Sequence, residues 1–298
     1  MDRRKDGLSA RQSSITSQVI VFGGAAEYAY SMMHTSIRPV GDHLRSWRQR
    51  RRMSQLDLAL EAQISQRHLS FVESGRSTPS REMVLNLAER LEVPLRDRNI
   101  LLQAAGYAPV FPERSLDDPA LKAARAAVDL VLKGHEPFPA LAVDRHWTLV
   151  AANAAVGPLL AGVADPALLK PPLNVLRLSL HPQGLAPRIA NLAEWRTHLL
   201  ERLRHQIEVT GDTVLARLMR ELSGYPEIGA LAARGPAPDY AGVVVPLRLV
   251  TDGGVLSFFS TTTVFGTPVD VTLSELALEA FFPADDATAQ ALRGGTPL

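Results

Sequence analysis

A series of closely spaced helix-starting and helix-ending residues between positions 40 and 106 constrains the fold more than any other feature of this chain. Ser54 and Ser65 each precede a helical pattern that a serine side chain can cap. Gly75 is placed to end one helix in a left-handed conformation, and Pro94 to open another. Five short helices fit between these signals. The segment therefore predicts an all-α bundle in which two helices and a tight turn form a helix-turn-helix.

The second of these helices and the turn after it carry two specific expectations. At i, i+3 and i+4 spacing, the helix is expected to bury Leu56, Ala59 and Leu60. Gln63 and Ile64 are expected to form the turn. If the backbone at Gln63 is left-handed, glutamine costs about 1 kcal/mol there relative to glycine.

The segment 54–94 has the sequence SQLDLALEAQISQRHLSFVESGRSTPSREMVLNLAERLEVP. It resembles the lambda-repressor-like (XRE-type) DNA-binding domain over its whole length. Gln63 departs from the family, which commonly has glycine there. The resemblance implies an internal ion pair between Arg48 and Glu73 that ties the first helix to the third. Its motifs recur in register at Ser54-Gln55, Ile64-Ser65, Leu69, Val72, Glu73-x-Gly75-Arg76 and Pro79.

The third helix is the one expected to enter the major groove of DNA with its N-terminal residues. Glutamine can bond adenine, and arginine guanine, through two atoms each. The side chains assigned to bases are Gln66, Arg67, Ser70 and Phe71. For Phe71 two interpretations stay open, contact with a thymine methyl group or packing on the first helix. The residues expected to contact phosphate are Gln55, Ser65, Arg76 and Ser77.

The distribution of charge favours an anionic partner for the first part of the chain. Residues 1–114 carry 17 Lys and Arg against 12 Asp and Glu, whereas the remainder carries 15 against 19. The run Arg50-Arg51-Arg52 either touches phosphate or forms a solvated helix face. Because a single module binds one half-site weakly, we expect a homodimer on a double-stranded DNA operator.

A proline-containing connector, residues 107–118, leads into a second domain over 119–293. Strand pairs that flank a helical middle predict an α+β domain with one antiparallel sheet. Asp252-Gly253-Gly254 is a hairpin signal. A helix is expected over 119–133. Strands are expected at 138–143, 147–151, 243–250, 255–263 and 268–272, with a helix or strand at 276–282.

Three segments of the second domain carry another resemblance, which covers about residues 115–290. They are HEPFPALAVDRHWTLVAANAA, PPLNVLRLSLHPQGLAPRIANLAEW and LSFFSTTTVFGTPVDVTLSELALEAFFPAD. They look like the MmyB-like ligand-binding domain, which has a PAS-like fold. The resemblance implies a transcription factor with an all-α head and a PAS-like sensor. Its effector would be a small, fatty-acid-like molecule, with no further cofactor.

Ligand cavities are mostly apolar with a few placed polar groups. Asn174, Arg177 and His181 would share one helix face, and an arginine fork matches a carboxylate. An alternative stays open for each candidate: the aromatic residues fill the core, Asn174 caps a helix, and His181 ends one. The full set of candidates is Trp147, Asn153, Asn174, Arg177, His181, Arg188 and Phe258.

Composition and motifs exclude several classes of protein. The absence of cysteine excludes a disulfide scaffold, a cysteine-ligated zinc finger and a thiol nucleophile. No apolar run approaches the roughly 20 residues of a membrane span. The nucleophile-elbow, zincin, P-loop and dinucleotide-binding motifs do not occur, and no metal site is indicated.

We therefore expect a non-enzymatic, cytoplasmic bacterial regulator, bound to the nucleoid when on DNA and preceded by a flexible extension over residues 1–38. Two alternatives stay open. One is a constitutive DNA-binding protein whose second domain serves only dimerisation. The other is an enzyme fused to a DNA-binding head.

Overall fold

The computed structural model describes residues 38–226, 245–266 and 268–294. The expected extension therefore lies outside the described residues, apart from Arg38. A bundle of helices precedes an α+β domain, and this confirms the predicted fold class. Within the described ranges, no helix has the length and apolar character needed to cross a membrane.

The first domain (residues 40–106) is a bundle of five helices. Ser54 and Asp57 form a reciprocal capping box, and Ser65 caps the following helix. The backbone at Gln63 is left-handed, with φ of +55°, so the predicted cost of glutamine applies. The helices are α1 (Val40–Arg50), α2 (Gln55–Glu61), α3 (Gln66–Glu73), α4 (Arg81–Arg90) and α5 (Leu95–Ala104).

The apolar face predicted for α2 is wrong in part. Leu58 and Ala59 are buried, whereas Leu56 and Leu60 are 50% and 68% exposed. Ala62, just after the helix, is also buried. Apolar residues at 56, 58, 59 and 60 cover most of a helix of seven residues, so periodicity alone cannot choose the buried side. Packing against α3 and α4 makes that choice.

A close backbone approach fixes α1 against α3. A Cβ atom on Gly41 would lie 2.5 Å from the carbonyl oxygen of Val72 and 2.7 Å from that of Glu73. Only glycine permits this approach. The start of α1 therefore rests directly on the backbone at the end of α3.

The second domain (residues 119–294) is built on an antiparallel sheet. The strands are β1 (Ala140–Val143), β2 (Leu149–Ala152), β3 (Leu247–Thr251), β4 (Gly254–Val264) and β5 (Ala277–Pro283). The helices are α6 (Lys122–Gly134), α7 (Val156–Leu159), α8 (Val175–Leu180), α9 (Leu192–Thr210), α10 (Thr213–Ser223), α11 (Val271–Ser274) and α12 (Asp286–Arg293).

The five strands lie in the order β2-β1-β5-β4-β3, and every neighbouring pair is antiparallel. The predicted hairpin is confirmed, since Asp252 and Gly253 connect β3 to β4 with Thr251 opposite Gly254. The strand expected at 268–272 is wrong. Asp270 accepts the N–H of Thr272 there and caps α11 instead.

Helices cover both faces of the sheet. Val128 and Leu132 of α6 pack with Ala142 and Leu278 on one face. On the other face, α8, α9 and α10 pack around a larger apolar cluster that includes Leu249 of β3. The turn between β1 and β2 meets the end of α9, where Gln206 donates to the carbonyl oxygen of Arg145.

Candidate functional site

The helix α3 presents exposed polar side chains on top of a buried apolar side. The hydroxyl of Ser65 caps it by accepting a backbone N–H of the first turn. Leu69 and Val72 are fully buried, whereas Gln66 and Arg67 at the start of the helix are exposed. This is the geometry of a helix that reads base edges in a major groove with its N-terminal end.

The other two predicted base contacts, Ser70 and Phe71, are half-buried. The guanidinium carbons of Arg67 and Arg76 lie 5.3 Å and 6.0 Å from the centre of the Phe71 ring. Cations at such distances are attracted to an aromatic face. Phe71 therefore supports two arginines that were assigned to a base and to phosphate, a role that neither interpretation of this residue contained.

Two of the four predicted phosphate contacts have internal partners. Gln55 donates through Nε2 to Glu73 Oε2 at 2.8 Å, and the Ser65 hydroxyl caps α3. Both keep a hydrogen to donate to a phosphate, since the Ser65 hydroxyl accepts in its capping bond and the Gln55 amide has a second N–H. The backbone N–H groups in the first turns of α2 and α3 are further donors. Arg76 is exposed just beyond α3, and Ser77 is half-buried beside it.

The ion pair that the resemblance implies between α1 and α3 is present. Arg48 donates through Nε and Nη2 to the two carboxylate oxygens of Glu73, at 2.6 Å and 2.8 Å. The Glu73 side chain is 0% exposed and that of Arg48 is 12% exposed. Burial acts to raise the pKa of Glu73, but hydrogen bonds from Arg48 and Gln55 outweigh it and hold that pKa below its usual value.

The run of three arginines at the end of α1 meets the second domain. Arg50 donates to the carbonyl oxygen of Thr210, and Arg51 to that of Val209. Arg52 is exposed. The first two arginines therefore make an interdomain contact, which no local pattern in the sequence indicated.

In the second domain, Asn174 caps α8. Its Oδ1 accepts the N–H of Arg177 at 3.0 Å, and its Nδ2 donates to the carbonyl oxygen of His146 at 2.8 Å. Because α8 covers only six residues, His181 is its C-terminal cap and does not lie on a continuous helix face. Both polar atoms of the Asn174 side chain therefore hold the fold together.

Arg177 and His181 meet in a cluster with Glu221 and Tyr225. Arg177 donates to both carboxylate oxygens of Glu221, at 2.6 Å and 2.8 Å. The His181 ring lies edge-on to Tyr225. Hydrogen bonds from Arg177, and then from Tyr225, lower the pKa of Glu221 to about 2 against the effect of burial. A ligand carboxylate at Arg177 would have to displace Glu221.

Asn153 and Arg188 bind backbone groups. Asn153 is buried and accepts the N–H of Ala140. It donates to the carbonyl oxygens of Leu132 and Phe138. Arg188 donates to the carbonyl oxygens of Leu159, Ala161 and Val250. Both side chains thus join separate segments of the second domain.

Trp147 lies in a polar cluster that sequence analysis missed. Its Nε1 donates to Gln206 Oε1 at 2.9 Å, and the guanidinium of Arg202 lies 4.6 Å from its ring centre. Arg202 also pairs with the buried Glu279 and bonds the Thr262 hydroxyl. These residues come from α9, β4 and β5, so only the fold could reveal the cluster. Phe258, also buried, lies edge-on to Phe281.

Two open grooves occur on the described part of the second domain. One, of about 260 Å³, lies between the end of α6 and strands β4 and β5, and its lining includes Val131, His135, Leu278 and Phe282. The other, of about 370 Å³, runs along the start of α9. None of the seven predicted ligand residues lines either groove. Among the described residues, no group of three or more His, Asp or Glu is placed to hold a metal ion.

Comparison with known proteins places a family on each domain. A family model described as MmyB-like transcription regulator ligand binding domain matches residues 124–294, more than half of the chain. A helix-turn-helix family model matches residues 44–97. The chain is also 36% identical over 120 residues to a protein of Methanoculleus marisnigri described as an HTH-type transcriptional regulatory protein. That alignment covers 39% of this chain and 38% of the relative's length.

Proposed function

Because the chain belongs to the MmyB-like transcription regulator ligand-binding-domain family and carries a helix-turn-helix domain ahead of that domain, we propose that it is a sequence-specific DNA-binding regulator controlled by a small molecule. The observation that carries the proposal is α3, a short capped helix with Gln66 and Arg67 exposed at its leading end. It is held rigidly by the buried pair of Arg48 and Glu73.

The leading residues of α3 have the chemistry that base recognition needs. Gln66 can bond N6 and N7 of adenine, and Arg67 can bond O6 and N7 of guanine. Arg76 supplies a cation for the phosphate backbone, which positions the protein without reading sequence. Phe71 lies beneath both arginines and restricts their side-chain conformations before DNA binds. The two side chains therefore lose less conformational entropy on binding.

The operator is proposed to contain two half-sites. One small helix-turn-helix reads only a few base pairs, so a homodimer on half-sites about one helical turn apart supplies the remaining affinity. Contacts with phosphate release counterions, so binding would weaken steeply as salt rises. The protein would act in the cytoplasm, where the duplex is accessible.

The effector is proposed to be a small, fatty-acid-like molecule held by the second domain. Support comes from the family and from the mainly apolar lining of the 260 Å³ groove beside α6. In the described residues, the arginines considered for a carboxylate already have partners: Arg177 pairs with Glu221, and Arg188 with backbone carbonyls. A headgroup would therefore compete with an existing partner.

The DNA half of the proposal is tested by selecting bound duplexes from a random pool with the full chain. We expect a two-part motif. Arg67→Ala should relax base preference at one position of each half-site, at a cost of about 1–3 kcal/mol for each contact. Arg76→Ala should weaken all sequences alike and reduce the salt slope by about one.

Arg90→Ala is the matched control, because Arg90 is an exposed arginine at the far end of α4. It should leave both the motif and the salt slope unchanged. If Arg67→Ala selects the same motif as the unaltered chain, α3 is not the reading helix.

The effector half is tested by native mass spectrometry of the full chain, followed by lipid extraction. A stoichiometric acyl compound supports the proposal. A chain that carries no small molecule, binds none of a panel of fatty acids and still selects its motif would be a constitutive DNA-binding protein.

A further inference from the structure

Two arginines of the first domain hold the end of a helix in the second. Arg51 donates to the carbonyl oxygens of Leu91 and Glu92, at the end of α4, and also to that of Val209, at 3.3 Å. Arg50 donates to the carbonyl oxygen of Thr210 at 3.4 Å. We call these four interactions the arginine clasp.

The clasp has an electrostatic basis. The last carbonyl groups of a helix lack intrahelical partners and carry partial negative charge, so cations are stabilised beside them. The C-terminal carbonyl groups of two helices, α4 and α9, lie beside the guanidinium groups of Arg50 and Arg51. A Cβ atom at Gly211 would lie 2.5 Å from the guanidinium carbon of Arg50. The end of α9 is therefore fitted closely around this side chain.

The end of α9 is also tied to the sheet of the second domain. Gln206 donates through Nε2 to the carbonyl oxygen of Arg145 and accepts the Nε1 proton of Trp147. His146 Nε2 lies 2.9 Å from Asp212 Oδ2, just beyond α9. The turn between β1 and β2 and the end of α9 therefore move together.

A second contact lies beside the clasp. Arg96 of α5 donates to both carboxylate oxygens of Glu275, at 2.7 Å and 2.9 Å, and pairs with Glu113 of the connector. Arg145, from the β1–β2 turn, lies 3.6 Å from Glu275. Glu275 therefore links Arg96 of the first domain to the turn between β1 and β2.

On the other side of the clasp is the reading helix. The helix α1 carries Arg50 at its end and Arg48 two residues earlier, and Arg48 is bonded to Glu73 of α3. Within the described part of the chain, no hydrogen bond or ion pair joins α3 to the second domain directly. The helix α1 is therefore the element that both α3 and the second domain hold.

We infer that the arginine clasp, together with the contact between Arg96 and Glu275, sets the orientation of the first domain on the second, and that closure or release of the clasp is the step through which the second domain controls DNA binding. This inference rests on the proposed function. It assigns Arg50 and Arg51 to the coupling of the domains, and it leaves the reading face of α3 free in the closed state.

The contact itself is tested without DNA, by hydrogen exchange on the full chain. The variant is Arg50→Gln with Arg51→Gln, and the matched control is Arg52→Gln, the exposed neighbour in the same run. The double variant should exchange at least about tenfold faster over residues 207–212, because hydrogen bonds to charged groups are lost there. The control should not.

A second variant leaves the bonds of Arg51 to the end of α4 in place. Arg50→Gln alone removes the bond to the carbonyl oxygen of Thr210, and should reproduce the faster exchange in part. If neither variant alters exchange over residues 207–212, the clasp does not hold the domains and the inference is overturned.

The coupling is tested with the selected duplex. By reciprocity, an equilibrium that changes DNA affinity must respond to DNA. Bound duplex should change exchange over residues 144–147 and 207–212 in the unaltered chain, and should not do so in the double variant. The same response in both proteins, or none in the unaltered chain, would make the clasp purely structural. A chain that selects no motif refutes the proposed function, whereas the exchange test without DNA still decides the contact.

Discussion

Removal of the Glu73 carboxylate is expected to destabilise the first domain severely. The side chain is 0% exposed and bonds Arg48 through both oxygens. It also accepts a hydrogen bond from Gln55 at 2.8 Å and lies 3.6 Å from the Arg45 guanidinium. In Glu73→Ala, the guanidinium of Arg48 stays in a largely buried position without its partner.

The magnitude follows from that burial. Loss of one partner of a buried ion pair costs about 3–5 kcal/mol, whereas a whole domain is stable by about 5–15 kcal/mol. The first domain is small, so Glu73→Ala should remove most of its stability. Arg45→Ala is the matched control. Its side chain is 42% exposed, and exposed pairs are worth about 0–1 kcal/mol.

The assay is urea unfolding of the full chain, followed by the helical circular dichroism signal. Arg48→Met with Glu73→Leu should recover much of the loss, because no buried charge is then left unpaired. Since the pKa of Glu73 is held below its usual value, the pair contributes at neutral pH, and this contribution is lost as acid protonates the carboxylate. If Glu73→Ala costs no more than Arg45→Ala, the pair does not hold α1 to α3.

Two further predictions concern strained or buried positions. Gln63→Gly should raise the free energy of unfolding by about 0.5–1 kcal/mol, because φ is +55° there; an unchanged urea midpoint would refute this. Burial raises the pKa of Asp97 to about 6, with Arg145 opposing and Glu275 adding to the shift. Ionised Asp97 therefore costs up to about 3 kcal/mol above pH 6, and this cost disappears as the pH falls towards 4. Asp97→Asn should raise the free energy of unfolding at pH 7.5 and leave it nearly unchanged at pH 4. An equal effect at both pH values would contradict this prediction.

The helices of the first domain could be predicted because their signals are local. Ser65 and Gly75 lie next to the ends of α3 and act through the backbone within one turn. The buried side of α2 could not be predicted in the same way. Leu56 and Leu60 satisfy helical spacing as well as Leu58 does, and the choice depends on neighbouring helices.

The candidate ligand residues show the limit of spacing as a guide to a site. Asn174, Arg177 and His181 have helical spacing, but the helix between the outer two is only six residues long. Arg177 forms an ion pair with Glu221 on α10, and no pattern in the sequence links these two positions. Whether a cationic side chain is free to bind a ligand depends on partners that are distant in the chain. A single sequence does not show which residues those partners are.

The geometry of α1 also decides what kind of control the clasp can exert. Gly41 rests on the backbone of α3, and Arg48 is bonded to Glu73, so α1 and α3 form one packed unit. Packed units of this kind change position between discrete arrangements and do not deform continuously. Release of Arg50 and Arg51 should therefore reorient the whole first domain and leave its reading face unaltered.

Binding to a duplex with one half-site should consequently be the same, within about twofold, for the unaltered chain and for Arg50→Gln with Arg51→Gln, since their reading faces are identical. Binding to a duplex with both half-sites should differ by about tenfold or more, because the spacing of two reading helices depends on how each domain is held. The measurement is fluorescence anisotropy at one fixed salt concentration, with Arg52→Gln as the control. An equal loss on both duplexes would mean that the two arginines contact phosphate directly, and that the second domain does not set the spacing through them.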